Sequence, residues 1–280
     1  MVKNFFPKDL SEALHLAAQN EICPIAGGTD LMVKNRQPSG LLPAFQKNLV
    51  FTKNIKELRI LVSDDQQVFI GANITLSQLI TWDHTPEILR LALLEMASPA
   101  IRNMGTIGGN ICNASPAGDT LPPLYVLNAV VCLKSMVENR EIPIREFILG
   151  PGKTALQKGE LVIGIKIPIP KATHVFYKKA AMRKASAIAK VSFAMLARKK
   201  GGKISAIAIA IGAVGPTVVR LPEAEQLLLG NTEAECHEAY RKYDEAIRPI
   251  DDIRSSAAYR KKVAMNLIDH VCEKIFEMKM

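Results

Sequence analysis

The chain has few of the residues from which catalytic and recognition sites are usually built. Aromatic residues make up 5% of its 280 positions, too few for the stacking platform on which proteins hold single-stranded nucleic acid. Its five cysteines, Cys23, Cys112, Cys132, Cys236 and Cys272, are scattered, and no pair has C-x-x-C spacing. This spacing excludes a zinc ribbon or a cysteine-held iron–sulfur cluster within the chain and reads as free, mostly buried thiols. No apolar run approaches the length of a membrane span, and Met1 to Leu10 lacks the apolar core and cleavage site of a secretory signal, so the expected location is the cytoplasm. No His/Asp/Ser or paired-carboxylate constellation stands out for acid–base work. The sequence also contains no internal repeat and no low-complexity segment.

What is present is an ordinary globular composition, 48% apolar and 22% charged, long enough for two domains. The net charge of +9 is unevenly placed: residues 1–170 hold 16 Lys/Arg against 15 Asp/Glu, and residues 171–280 hold 20 against 12. The basic residues of the second part are interspersed with acidic ones. They read as a solvated or subunit-facing surface rather than a nucleic-acid footprint.

Apolar spacing predicts a helix over 7–20 and a strand over 22–26. Two more strands, 59–62 and 67–71, flank the turn Ser63-Asp64-Asp65-Gln66. Thr75 caps a helix through Ile80, and Thr85-Pro86-Glu87 opens another to about Ala97, which Pro99 ends. A helical turn begins at Pro122-Pro123, and strands are expected over 130–134 and 160–167, the latter stopped by Pro168 and Pro170. That proline pair, where the charge balance also shifts, is the candidate domain boundary. Beyond it, 191–197 and 204–212 read as a hairpin around Lys199-Lys200-Gly201-Gly202, followed by helices over 222–229, 232–247 and 256–276. Without a regular βαβ repeat, the pattern points to α+β in the first part and a small sheet packed on helices in the second.

Two glycine-rich stretches carry most of the functional information. Ile25-Ala26-Gly27-Gly28-Thr29-Asp30-Leu31 and Thr106-Ile107-Gly108-Gly109-Asn110 each set a Gly-Gly pair beside a small hydroxyl residue. Glycine permits positive φ and keeps no Cβ between backbone and ligand, and successive N–H groups in such a turn form an anion-binding concavity. Two such stretches suggest an extended diphosphate, although the first also reads as a plain turn between strand and helix. Neither has the spacing of a Rossmann or P-loop site. Asp119 suits a ribityl or ribose hydroxyl, or caps the helix before Pro122.

The two stretches, the continuation Ala114-Ser115-Pro116-Ala117-Gly118-Asp119-Thr120-Leu121-Pro122-Pro123-Leu124, and their separation closely resemble the FAD-binding medium subunit of molybdenum hydroxylases, of the xanthine dehydrogenase and aerobic carbon monoxide dehydrogenase type. Phe176-Tyr177-Lys178-Lys179-Ala180-Ala181-Met182-Arg183-Lys184-Ala185 and Gly212 to Arg220 are similar to that family's C-terminal flavoprotein domain. The resemblance implies an FAD-binding domain over 1–170, of the vanillyl-alcohol-oxidase and molybdenum-hydroxylase type, with subdomains of about 1–55 and 56–170. A small antiparallel sheet packed on a helical bundle would follow over 171–280.

It further implies that Ile25 to Leu31 and Thr106 to Asn110 surround the flavin's phosphates and ribityl chain, and that Asp119 bonds a hydroxyl. Leu161 would pack near the isoalloxazine, and Lys179 would sit by the flavin, unless it is an ordinary solvated lysine. Molybdenum-pterin and iron–sulfur clusters are expected only in a large and a small partner subunit, with NAD as a possible acceptor. Lys178, Lys179, Arg183 and Lys184 would help dock the electron-delivering partner. Relatives commonly carry aspartate where this chain has Ala187, so that polar contact is absent. The cysteine-rich insertion of some relatives is missing, and neither glycine stretch holds a histidine (the nearest is His84), so FAD should be bound noncovalently. Valine at Gly108 or Gly109 is expected to abolish flavin binding while leaving a soluble protein.

Overall fold

A computed structural model describes residues 2–200, 203–229 and 233–277. By packing, the chain divides into two compact units that share it alternately. The first takes the residues up to Thr85, then Ser98–Ala114 and Ala129–Pro168, and the second takes Pro86–Ala97, Ser115–Asn128 and the described residues from Ile169 onward. The last crossing falls at the proline pair. Two helices that precede it in the chain, Glu87–Glu95 and Leu121–Val126, nevertheless belong to the second unit.

In the first unit, β1 (Asn4–Phe5), β2 (Ile22–Ile25) and β3 (Asn48–Phe51) form a parallel sheet in the order β1-β3-β2. The helix joining β1 to β2 is Leu10–Gln19, begun by Asp9, whose carboxylate accepts the Glu12 N–H at 2.8 Å. Its apolar face, Leu10, Ala13, Leu14 and Ala17, is buried with Ile55 and Leu58. β4 (Leu61–Ser63), β5 (Gln67–Gly71), β6 (Val130–Lys134), β7 (Asn139–Pro143) and β10 (Leu161–Pro168) form a five-stranded antiparallel sheet, ordered β4-β5-β10-β6-β7. β8 (Ile148–Gly150) and β9 (Lys153–Thr154) pair separately.

The second unit is built on β11 (His174–Ala180), β12 (Val191–Lys200) and β13 (Lys203–Gly212), antiparallel in chain order. Along β12 the side chains alternate faces. Val191, Phe193 and Met195 join Ile207, Ile209 and Ile211 in a core shared with Ala224, Tyr243 and Ile268 of the following helices. The helices Glu87–Glu95 and Leu121–Val126 pack against the same sheet, where Ser192, Ala194, Ala210 and Gly212 are small. A Cβ on Gly212 would stand 3.0 Å from Pro122 Cγ, so its absence lets that helix approach. Burial on both faces explains why the segment from Val191 to Ala197 is buried throughout.

Most expected elements stand within a few residues of their place. The turn after β4 is held by Asp64 Oδ1, which accepts both Gln66 and Gln67 N–H at 2.8 Å. Residues 56–59, partly read as strand, form a 3-10 turn. Gly201 and Gly202 of the expected hairpin and Thr232 lie outside the described residues. Pro99 does not merely end a helix. With Ser98 as cap it starts a new one, Pro99–Met104, because its missing N–H needs no partner at the first helical position. The second glycine stretch is likewise no open loop: it forms the first turns of the helix Ile107–Asn113.

Candidate functional site

The first glycine stretch leaves the carboxyl end of β2. Ile25 is buried, and Thr52, just past the parallel neighbour β3, donates its N–H to Ile25 O at 2.9 Å. The two glycines do different work. Gly28 has φ of +70°, the conformation that glycine adopts most readily. Gly27 is required by contact, since a Cβ there would lie 2.0 Å from Met104 O and 2.9 Å from Gly105 Cα. This close approach brings the two glycine-rich stretches side by side. The N–H groups of Gly27, Gly28, Thr29 and Asp30 have no hydrogen-bond acceptor among the described residues, so they are available to an anion. The Asp30 carboxylate does not cap the helix Leu31–Lys34; it accepts Asn113 Nδ2 at 3.2 Å, while Lys34 Nζ donates to Asn113 Oδ1.

The second stretch is built differently from the first. From Ile107 onward its amides are committed within the protein: Ile107 N–H to Ile74 O at 3.0 Å, Gly108 N–H to Ala72 O at 2.9 Å and Asn110 N–H to Thr106 O at 2.9 Å. Gly109 N–H goes to the Thr106 hydroxyl at 3.1 Å. Of the two stretches, the longer run of amides without an acceptor among the described residues is therefore that of residues 27–30. Gly108 is held against the chain, with a Cβ only 2.7 Å from Ala72 Cβ, so valine there would damage the fold rather than leave it soluble and empty. Gly109 is exposed, and a Cβ would meet only Thr106 Oγ1, at 3.0 Å.

Beside these stretches lies a cleft that the sequence did not disclose. Ala26, Lys53, Arg59, Asn73, Thr75 and Thr106 line it, with Met104 next to Gly27. Lys53 follows β3 and Arg59 ends the 3-10 turn. Neither belongs to a recognisable motif, so nothing in the order of residues points to them.

In the second unit Asp119 and Lys179 meet. Lys179 Nζ donates to Asp119 Oδ2 at 2.7 Å and to Glu95 O at 3.0 Å. The two side chains are 7% and 3% exposed, so this is a buried ion pair, and Lys179 is not an ordinary solvated lysine. Burial pushes the Asp119 carboxyl up to about 6, against the opposing pull of Lys179. Its other oxygen, Oδ1, is buried without a partner among the described residues, as are the hydroxyls of Tyr177 and Ser192. Asp119 precedes the helix Leu121–Val126 but does not cap it. An unpartnered buried acceptor is costly to keep and fits a ligand hydroxyl.

Leu161 belongs to the first unit. Its side chain is 5% exposed and packed in the core beside the helix Leu10–Gln19. Arg183 donates to Ala185 O at 3.1 Å and Ser186 O at 2.9 Å, shaping its own loop.

The chain is an α+β protein whose first unit carries, at the carboxyl edge of a parallel sheet, a glycine turn with amides suited to a phosphate. Its second unit, taken by itself, holds a buried ion pair with a carboxylate oxygen suited to a hydroxyl. The description "FAD binding domain in molybdopterin dehydrogenase" matches residues 1–170, and "CO dehydrogenase flavoprotein C-terminal domain" matches residues 176–275. The chain belongs to this family of FAD-binding subunits of molybdenum-dependent dehydrogenases, and its class is oxidoreductase. It is 33% identical over 225 residues to the xanthine dehydrogenase FAD-binding subunit of Escherichia coli O157:H7, covering 78% of this chain and 75% of that one. It is 29% identical over 277 residues to the carbon monoxide dehydrogenase medium chain of Afipia carboxidovorans, covering 96% and 94%. A chain of reconstituted CO dehydrogenase from Oligotropha carboxidovorans superposes with a TM-score of 0.88 at 27% identity, over 99% of this chain and 98% of that one. No helix among the described residues is long and apolar enough to cross a membrane.

Proposed function

We propose that this chain is the electron-transfer subunit of a cytoplasmic molybdenum hydroxylase. A small subunit with iron–sulfur clusters would deliver electrons, a large subunit would hold molybdenum-pterin and hydroxylate the substrate, and NAD would serve as acceptor. Bound FAD supplies the chemistry that joins one-electron donors to a two-electron acceptor. The observation carrying the reading is the run of unpaired amides from Gly27 to Asp30, in a chain of this family. Those amides would hold the diphosphate, and Thr106 and Asn110 would line its path. Asp119 Oδ1 would accept a ribityl or ribose hydroxyl, and the Lys179 ammonium would balance negative charge on the reduced ring. The described residues contain no cluster of ligands able to hold a metal ion. The test is the purified complex. Partner subunits should copurify, and substrate should bleach the flavin bands only when they are present. Reduction of the isolated chain by substrate would instead favour a self-sufficient flavin oxidoreductase.

Two expected results follow for the cofactor. Gly109→Val should stay folded, losing about 1 kcal/mol as the Thr106 cap adjusts, yet emerge from gel filtration with little FAD. Full occupancy would remove Gly109 from the site. Acid precipitation should release all flavin to the supernatant as FAD, since neither glycine stretch supplies a histidine or cysteine for a covalent link. Yellow protein in the pellet would contradict noncovalent binding.

A further inference from the structure

The cleft beside the glycine turn carries two cations that the family resemblance did not point to. Lys53 lies just beyond the carboxyl end of β3, the parallel neighbour of the strand that delivers Gly27 and Gly28. Ligands of open α/β sheets collect at such carboxyl ends. Arg59 reaches the same cleft from the end of the 3-10 turn. One buried residue holds both segments in place. Asn73, 6% exposed, donates Nδ2 to Thr52 O at 2.5 Å and its backbone N–H to Leu58 O at 2.8 Å. It therefore grips the residue immediately before each cation. Both cations are exposed, and neither has an ion-pair partner among the described residues. The carboxylate between them in sequence, Glu57, is turned away and accepts the Leu10 N–H at 3.2 Å. Asp30, the only carboxylate of the glycine turn itself, is held by Asn113.

A diphosphate carries two negative charges. Neutral amides can orient it, but they do not neutralise it, and charge-assisted bonds are about twice as strong as neutral ones. We propose that Lys53 and Arg59 form the cationic wall of the diphosphate site, with Asn73 as the positioning residue that sets both. The inference rests on the FAD reading and adds the residues that make binding depend on the diphosphate.

The experiment titrates apoprotein with FAD, riboflavin and ADP, comparing wild type with Lys53→Gln/Arg59→Gln. FAD and ADP affinity should each fall about ten- to hundredfold, as expected for losing charge-assisted bonds, and the loss should shrink at high salt. Riboflavin binding and the melting temperature should not change, because both side chains are exposed and unpaired. Lys53→Arg/Arg59→Lys should recover most of the affinity. Equal FAD affinity in wild type and the glutamine variant would overturn the inference while leaving the FAD reading intact. Wild type that binds no FAD would overturn both. The same diphosphate chemistry could come from a separate nucleotide. Cation-dependent ADP binding to the FAD-loaded protein would show that, and would overturn the assignment to FAD's own diphosphate.

Discussion

Gly27→Ala is expected to lower the melting temperature by about 6–12 °C, the largest effect of any single methyl group added near the site. The alanine Cβ would stand 2.0 Å from Met104 O, 2.7 Å from Met104 C and 2.9 Å from Gly105 Cα. All three are backbone atoms, so no side chain can swing aside. Relief requires separating the turn after β2 from the segment before the helix Ile107–Asn113. Overpacking typically costs about 1–3 kcal/mol, and the upper figure applies where backbone must move; each kcal/mol lowers the melting temperature by about 2–4 °C in a unit of this size. Gly150→Ala is the control, because no neighbouring atom lies within 4 Å of its Cβ position and its φ is not positive. Thermal melts of both variants provide the check. A Gly27→Ala protein that melts with wild type would mean the two glycine stretches are not in contact.

The second large effect belongs to the buried pair. Lys179→Ala should cost about 3–5 kcal/mol at pH 7.5, because it strands a desolvated Asp119 carboxylate. The sign of the pH dependence follows from the direction of the shift. Asp119 already titrates at about 6, above its ordinary value of 3.8, and Lys179 is the group pulling it down. Removing Lys179 moves the folded-state value higher still. A carboxyl that holds its proton better when folded than when unfolded favours the native state at low pH, and that contribution is lost as pH rises from about 4 through the folded value. The variant should therefore recover much of its deficit between pH 7.5 and pH 5. Lys179→Met/Asp119→Leu should lie closer to wild type than Lys179→Ala does, since apolar replacement of a buried pair is often neutral. Urea melts at the two pH values decide the matter. A deficit that is the same at both pH values, or a double variant no more stable than the single one, would defeat this account.

Much of this protein is legible in the order of its residues. Thr75 and Pro222 mark helix starts by local chemistry, and Thr75 caps its helix as its position implies. The turn Ser63-Asp64-Asp65-Gln66 and the strands over 130–134, 191–197 and 204–212 follow from spacing over a few residues. The resemblance carried by the two glycine stretches is likewise a property of order and residue type. β1, β3 and β11 are not legible in this way. β1 and β3 are only two and four residues long, and the polar tail Lys178-Lys179 masks the alternation of β11.

Only tertiary structure separates the glycines. In sequence Gly27, Gly28, Gly108 and Gly109 are equivalent, but Gly27 and Gly108 are set against backbone from 104–105 and 72, Gly28 serves a positive φ, and Gly109 faces outward. Packing also commits the amides of residues 107–110 to Ile74, Ala72 and Thr106, turns Leu161 into the core, and joins Lys179 to an aspartate sixty residues earlier. Lys53 and Arg59 come together through Asn73, a residue of no motif. The physical reason is one of range. Caps, turns and strand periodicity depend on neighbours within a few residues, and the order of the chain states them. Which N–H remains unpaired, which Cβ would collide and which charge is buried beside its counter-ion depend on atoms brought close by packing.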